Sequence, residues 1–263
     1  ICWDDDPEKR NLASSQGLRV IGSVSDFDWE SVDRLIISPG VPHHFPSPHP
    51  MVSAAVSAGV LIDNDVGLFF QSIATESWEK FSVRPRIVAV TGSNGKSTIA
   101  SLLHHIFLKL GYKSQLAGNI GRGVLDIDPP ENNELIVLEL SSYQTEVARI
   151  LSPDLAIFTN FSADHLERHG GIGGYLAAKR RLFTEGCPDY SIIGVDELAG
   201  LNLAQQLSAS IGDESIIRVS ATKQIRRFDW SIFCDGSCLV EHRKGKQINS
   251  IDLQIFDSFV GFH

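Results

Sequence analysis

The residues best suited to chemistry lie at 88–98, where an apolar run passes through two glycines into lysine, serine and threonine. Gly92 and Gly95 lack the Cβ that would keep a phosphate away from backbone N–H groups. Lys96 adds a positive charge and Ser97 a hydroxyl that can bind magnesium, which are the roles of these positions in a P-loop. The segment therefore predicts a nucleotide-phosphate site. Its residues are Thr91, Gly92, Ser93, Asn94, Gly95, Lys96, Ser97 and Thr98.

A strand and a helix must flank this turn to position it. Residues 86–90 are nearly all apolar and suit a strand that is buried on both faces. Apolar residues then recur at helical spacing from Ile99 to Leu110, and Gly111 supplies a stop signal. A phosphate would meet the N-terminus of this helix, where unpaired N–H groups and the dipole favour an anion. Val90 stands where the usual pattern has its first glycine, so the match is a variant, and an ordinary glycine-rich turn is the alternative.

Composition narrows the class of protein. The chain has 263 residues, of which 43% are hydrophobic and 21% charged, as is typical of a soluble globular protein with one or two domains. A formal net charge of −9 argues against a nucleic-acid partner, because such proteins present basic surfaces to phosphates. The sequence contains no run of about 18 apolar residues, so it predicts no membrane span. Four scattered cysteines and the missing signal peptide indicate a cytosolic protein with reduced thiols.

The order of apolar and polar segments predicts an α/β fold in two parts. In residues 1–83, short apolar strands alternate with helical stretches, which indicates a partial Rossmann-like domain. A shift in composition at 82–85 marks the predicted boundary, and residues 84–263 read as a P-loop-type domain with a parallel sheet. In the first part, strands are predicted at 18–21, 35–37 and 60–62, and a helix at 51–58.

The second part is predicted to change character along its length. Residues 135–140 and 155–159 are apolar on both faces and suit central parallel strands. After Ile193, short alternating strands predict a small antiparallel appendage that contains a β-hairpin around 243–246. These strands are predicted at 228–233, 237–242 and 247–255.

Three side chains near the carboxyl ends of these strands could serve a ligand, since open α/β sheets bind ligands there. Glu139 ends a buried strand, where a carboxylate is costly unless it is paired or binds a metal. It is therefore a candidate magnesium ligand. His165 lies in the polar loop 159–167, where it suits a cation or an anionic substrate, although a loop histidine is commonly only a surface residue. Lys179 lies in a predicted helix, where a lone lysine commonly faces solvent.

Together these features resemble the Mur ligase family of ATP-dependent amide-bond ligases in bacterial cell-wall synthesis. The resemblance spans essentially the whole chain and rests on the motifs at 91–98, 118–121, 138–144 and 164–167. Within the family it is strongest to the member that adds D-glutamate. Sister ligases resemble this chain at the phosphate loop but have other residues after the Glu139 strand.

The resemblance implies how the chain is divided. Residues 1–83 would be part of a UDP-substrate-binding domain, and 84–263 the central ATP-binding domain. The chain does not begin with Met, and residues 261–263 resemble the start of a family segment that continues further. We therefore expect a fragment that lacks the extreme N-terminus and the C-terminal ligase domain, and that is inactive alone.

The resemblance also implies roles for the candidate residues. Lys96, His165 and Lys179 would be catalytic, with Lys96 on the ATP phosphates. Ser97 and Glu139 would hold a first Mg²⁺, whereas His165 would contact a second. Lys179 would carry a carbamate, which replaces an ammonium that a metal would repel with anionic oxygens.

A further group of residues would contact the UDP-linked substrate. Three of them would lie along the uridine-muramoyl-alanine substrate, two near the uracil and one beside the sugar. For the acidic pair a solvated turn is the alternative, and for the glycine a turn without function. The residues along the substrate are Asn119, Ser141 and Gln144, the acidic pair near the uracil is Asp4 and Asp5, and the glycine beside the sugar is Gly40.

The implied reaction begins with phosphoryl transfer from ATP to the terminal carboxylate of UDP-N-acetylmuramoyl-L-alanine. The amine of D-glutamate then attacks the acyl phosphate, and ADP, phosphate and an amide leave. The implied setting is peptidoglycan precursor synthesis in the bacterial cytoplasm, by a monomer whose partners are small molecules. The alternatives are a sister Mur ligase or folylpolyglutamate synthase, a P-loop hydrolase or switch protein, and an inactive nucleotide-binding module.

Overall fold

The computed structural model describes residues 1–75 and 80–255. Helices and strands alternate through most of this part, as the sequence predicts for an α/β protein. The helices are α1 Pro7–Ser15, α2 Pro50–Ser57, α3 Asp65–Thr75, α4 Lys96–Lys109, α5 Ser142–Val147, α6 Ile172–Thr184 and α7 Leu198–Ile211. The strands are β1 Arg34–Ile36, β2 Leu61–Asp63, β3 Arg86–Thr91, β4 Ser114–Gly118, β5 Leu135–Glu139, β6 Leu155–Phe158, β7 Tyr190–Gly194, β8 Ile216–Ser220, β9 Trp230–Asp235, β10 Cys238–Arg243 and β11 Lys246–Asp252.

A nine-stranded sheet forms most of the molecule, in the order β11-β10-β9-β8-β7-β6-β3-β5-β4. From the edge strand β4 across the sheet to β9, all neighbouring strands are parallel, whereas β10 runs antiparallel to both β9 and β11. The three strands predicted around 86–90, 135–140 and 155–159 are β3, β5 and β6, and they lie side by side with β3 in the middle. The predicted α/β class, the central parallel strands and the antiparallel region are thus confirmed.

Both faces of this sheet are covered. Along β3, Ile87 and Ala89 contribute to the larger core, whereas Val88 and Val90 pack on the other face against α4. This alternation buries the strand on both sides, as its apolar sequence predicts. The helix α4 is less fully packed, because its Leu102 is 48% exposed.

The first part of the chain has a smaller parallel sheet of its own. β1 pairs with β2, and a small core between them and α2 includes Ile37, Val52 and Val60. The strands predicted at 35–37 and 60–62 and the helix at 51–58 are present to within two residues. The strand predicted at 18–21 is wrong, since only Val20 forms a bridge, to Cys2.

The region after Ile193 departs from the prediction. Residues 198–211 form α7, and β8 then pairs parallel with β7. A parallel neighbour needs a crossover connection, which α7 supplies by burying Leu203 and Leu207 against the sheet. The predicted hairpin around 243–246 is correct, but it extends the main sheet through β9.

In the part of the chain that the structure describes, no helix is long and apolar enough to cross a membrane. The cysteines are free thiols. The domain boundary at 82–85 stays a prediction. The motif at 261–263 lies outside the described residues.

Candidate active site

The predicted phosphate-binding turn connects β3 to α4 and depends on its two glycines. Gly95 caps α4 with a left-handed backbone (φ +76°), and Gly92 has φ +144°. A Cβ on Gly92 would lie 1.9 Å from Thr159 Oγ1 on the neighbouring strand's loop. The turn therefore needs glycine at both positions for conformation, and at Gly92 for space as well.

The loop after β6 holds the turn in place. The N–H groups of Ser93 and Asn94 donate to the backbone and side-chain oxygens of Asn160, at 3.0 and 2.9 Å. The Ser93 hydroxyl donates to the Ser162 carbonyl at 3.0 Å and lies 3.2 Å from the Tyr175 hydroxyl. These contacts fix the turn, while the first N–H groups of α4 have no partner within the helix and can face an anion.

A buried carboxylate lies beside the start of α4. Glu139 is 1% exposed at the end of β5. Its Oε2 accepts from the Ser97 hydroxyl at 2.8 Å, and its Oε1 from the Asn119 amide at 3.2 Å. Gly118 allows this approach, because a Cβ there would lie 2.2 Å from the Glu139 carbonyl oxygen. The structure thus brings together three residues that the sequence analysis assigned to magnesium and substrate.

This arrangement fits a divalent cation. Among the described residues, the Glu139 oxygens have only neutral partners, the hydroxyl of Ser97 and the amide of Asn119. A buried negative charge with neutral partners is costly and would be stabilised by a cation. The described residues contain no group of three or more His, Cys, Asp or Glu able to form a complete metal cage. Mg²⁺ commonly uses one or two protein ligands together with phosphates and waters, which a serine and a glutamate can supply.

Lys179 lies on α6 beneath the same turn and is 1% exposed. Its Nζ donates to the Gly92 carbonyl at 2.7 Å and lies 4.5 Å from the centre of the Tyr175 ring. Burial, and then the nearby charge of Lys96, lower the pKa of Lys179 to about 7, against the opposing effect of Asp164. A substantial fraction of this amine is therefore neutral near pH 7.

Lys96 and His165 differ in their placement. Lys96 Nζ donates to the Ser93 carbonyl at 2.8 Å and so lies over the turn. His165 is half exposed on the rim, in a left-handed conformation (φ +51°), with its Nε2 3.3 Å from Asp164. Within the described residues it makes no hydrogen bond or ion pair with Lys179. His165 lines a cavity of about 460 Å³ together with Tyr143.

Ser141 and Gln144 begin α5 and partner each other. The Ser141 hydroxyl accepts from the Gln144 N–H at 3.3 Å, and the Gln144 side-chain oxygen accepts from the Ser141 N–H at 3.0 Å. This is a capping box, which satisfies N–H groups at the helix start. Gln144 is buried, and its carbonyl also accepts from the Asn64 amide at 2.8 Å. Both residues thus have structural partners where the sequence analysis expected substrate.

The first part of the chain contains a larger cavity, of about 900 Å³. Asp4, Asp5 and Gly40 line it, together with aromatic residues such as Trp29. Asp5 lies 3.2 Å from His49, and the acidic residues lead directly into α1. The three residues of the first part that were assigned to the UDP-linked substrate therefore share one cavity. The residues that line this cavity precede the phosphate-binding turn in the sequence.

Sequence reasoning missed several residues that support the site. Tyr175 lies one helical turn before Lys179 and reaches Ser93, so their i,i+4 spacing was an available signal. His169 is buried, with Nε2 2.9 Å from the Ser142 hydroxyl and its ring stacked on Tyr143 at 5.3 Å. Its Nδ1 lies close to a carboxylate but without hydrogen-bond geometry. No local pattern distinguishes His169 from a surface histidine.

A parallel sheet whose central strand leads through a Gly-Lys-Ser turn into a helix defines a nucleotide-phosphate-binding α/β protein. Residues 90–256 match the family model described as the Mur ligase middle domain. The chain belongs to the Mur ligase family.

Relatives within the family are similar along the whole chain. It is 54% identical over 263 residues to UDP-N-acetylmuramoylalanine--D-glutamate ligase of Cereibacter sphaeroides, and 54% identical over 265 residues to the ligase of that name from Roseobacter denitrificans. Each match covers 100% of this chain and 57% of the relative's length. Among solved structures, UDP-N-acetylmuramate-alanine ligase MurC from Thermotoga maritima matches with a TM-score of 0.42 and 17% identity, covering 94% of this chain and 52% of that one.

Proposed function

We propose that the chain is the nucleotide-binding part, with part of the substrate-binding region, of an ATP-dependent ligase. The ligase joins D-glutamate to UDP-N-acetylmuramoyl-L-alanine in peptidoglycan precursor synthesis. The observation that carries this proposal is the Ser97–Glu139 pair, in which the hydroxyl of an exposed serine lies 2.8 Å from a buried carboxylate at the first turn of the phosphate-binding helix. The names of relatives that are 54% identical support the choice of substrate and amino acid.

ATP phosphates would bind at the turn, where the N-terminus of α4 and the ammonium of Lys96 face them. Both carry positive charge, which stabilises the negative charge that spreads over the phosphoryl group during its transfer. The substrate carboxylate attacks this phosphoryl group, ADP leaves, and an acyl phosphate forms. The amine of D-glutamate then attacks the acyl carbon and expels phosphate. A magnesium ion held by Ser97 and Glu139 would supply further charge neutralisation.

Lys179 is proposed to be carbamylated. The neutral amine attacks carbon dioxide, a C–N bond forms, and one proton is lost to solvent. The product carries anionic oxygens in place of an ammonium. A pKa of about 7 favours this reaction near neutral pH, because the nucleophile is the unprotonated amine. Together with His165, this carbamate would serve a second magnesium site.

The UDP-linked substrate is proposed to occupy the cavity of the first part of the chain. About 900 Å³ is a volume suited to a nucleotide-sized ligand. Asn119 would contact the substrate beside the phosphate site, since its amide lies 3.2 Å from Glu139. We also propose that the protein is a cytoplasmic monomer.

The decisive experiment measures phosphate release by the full-length protein with ATP, magnesium and UDP-N-acetylmuramoyl-L-alanine. D-glutamate, L-glutamate, L-alanine and L-lysine are offered separately. We expect release only with D-glutamate, and none in a matched Lys96→Ala preparation, which controls for contaminating ATPases. Release with another amino acid would favour a sister ligase. Release without any amino acid would favour a hydrolase.

A further inference from the structure

Arg168 connects the two parts of the chain. It lies in the short 3-10 turn Leu166–His169, three residues after His165. Its Nη1 donates to the Phe45 carbonyl at 3.1 Å, and its Nη2 donates to the Val41 carbonyl at 3.1 Å. The Pro39 carbonyl lies 3.5 Å from Nη2. One guanidinium therefore holds backbone oxygens from a loop more than a hundred residues away in sequence.

A second contact joins the same two segments. Gly170 has φ +66°, and a Cβ there would lie 2.7 Å from the Phe45 ring. The aromatic ring thus packs directly on the glycine backbone, next to the guanidinium contacts. The Val41 N–H donates to the Ser38 carbonyl and the His49 N–H to the Pro42 carbonyl. Both hydrogen bonds lie within residues 38–49 and do not attach this segment to the turn that carries Arg168.

Each segment also belongs to a cavity. The loop of residues 39–45 includes Gly40 and Val41, which line the 900 Å³ cavity proposed for the UDP-linked substrate. Arg168 and His165 line the 460 Å³ cavity at the rim of the phosphate site. Arg168 also lies over the Tyr143 ring, 5.1 Å from its centre. A displacement of this contact would change the position of one cavity relative to the other.

We propose that Arg168 is a positioning residue that fixes the 39–45 loop against the His165 turn and so sets the register between substrate and phosphate site. This proposal rests on the proposed function. Arg168 acts through the loop, because its Nη atoms donate to loop carbonyls. A planar guanidinium can hold several separated oxygens at once, whereas a lysine ammonium is a compact point charge. Small misplacements of reacting groups cost large factors in rate.

The test compares Arg168→Gln and Arg168→Lys with Arg86→Gln, all in the full-length protein. Arg86 is a matched control, because it lies at the opposite end of β3 in an exposed pair 3.7 Å from Asp189. Hydrogen exchange measured by mass spectrometry reports on residues 39–49. We expect exchange there to rise about tenfold in Arg168→Gln, less in Arg168→Lys, and not at all in the control.

Steady-state kinetics separate positioning from a structural role. We expect KM for UDP-N-acetylmuramoyl-L-alanine to rise about tenfold in Arg168→Gln, while KM for ATP stays within about twofold. General destabilisation would lower the active fraction and leave KM unchanged. Unchanged exchange at 39–49 overturns the proposal, as does faster exchange with wild-type KM for the UDP-linked substrate. If the wild-type protein lacks D-glutamate-dependent activity, the proposed function fails. The affinity for the UDP-linked substrate, measured by calorimetry, then replaces KM as the readout.

Discussion

The phosphate-binding turn is contained in eight consecutive residues, whereas the cavity of the first part collects side chains from widely separated stretches between Ile1 and Met51. In the turn, most polar side chains have a defined partner, such as the Leu140 carbonyl for the Thr91 hydroxyl. In the cavity, acidic, aromatic and glycine residues share a surface that is partly open to solvent. We infer that the turn tolerates little substitution, while the cavity, with the substrate proposed for it, would spread binding energy over many weak contacts.

The largest effect is expected at Glu139. Glu139→Gln keeps the shape but removes the charge that would hold magnesium, so turnover of the full-length protein should fall by about 100- to 1000-fold. Phosphate release with D-glutamate measures the change. The control is Glu131→Gln, because Glu131 is an exposed carboxylate that pairs with Lys113. Wild-type turnover in Glu139→Gln would contradict the assignment of Glu139 to magnesium. It would also contradict the inference that the turn tolerates less substitution than the cavity.

An intermediate effect is expected from pH at Lys179, which supports the turn from below. Its pKa is lowered to about 7, so protonation is disfavoured in the folded protein, and the neutral amine becomes the main form as pH rises through 7. The neutral fraction should increase from about 10% at pH 6 to about 90% at pH 8. At a fixed, subsaturating concentration of bicarbonate ion the carbamate forms in proportion to the neutral amine, so bicarbonate-stimulated turnover should rise about ninefold over this range.

Two controls sharpen the Lys179 prediction. In Lys179→Arg the guanidinium stays protonated throughout this range, so bicarbonate should not stimulate turnover at any pH tested. A carbamate signal from ¹³C-labelled bicarbonate, seen by NMR in the wild type and absent in Lys179→Arg, gives a readout independent of activity. A pH-independent response to bicarbonate would show that the burial of Lys179 does not govern the reaction.

The smallest effect is expected in the cavity. Asp5 is exposed, and its contact with His49 is a surface pair of the kind that contributes at most about 1 kcal/mol. Asp5→Asn should raise KM for the UDP-linked substrate by no more than about fivefold and leave kcat unchanged. Asp33→Asn, on the same part of the chain, serves as the control. A hundredfold change from Asp5→Asn would mean that the cavity depends on single residues as strongly as the turn does.

The sequence predicts the turn well because its determinants are local. Apolar residues at 86–90, two glycines and the helical spacing after Lys96 act over a few positions each. Lys179 shows where this reasoning ends, since its helix follows from local spacing but its burial depends on contact with Gly92, far away in sequence. The roles assigned to the site residues stay predictions.

Other features escaped prediction for related physical reasons. The helix α7 was missed because alternating residues at 228–255 suggested a wholly antiparallel region, although the parallel pairing of β8 requires a crossover. Arg168 could not be distinguished from a surface arginine, because its partners are backbone carbonyls near Phe45. Contacts between distant segments with no shared local pattern are visible only after folding.

The hydrogen bond from Ser97 to Glu139 links the first turn of α4 to the end of β5. The serine proton satisfies the carboxylate, and it can be redirected by rotation about a single Cβ–Oγ bond. That rotation exposes lone pairs on both oxygens while their heavy atoms stay in place. A cation bound there as proposed would therefore need the reorientation of one proton and little movement of the chain. Such a site would need little reorganisation on binding, so little of the cation's binding energy would be lost in it.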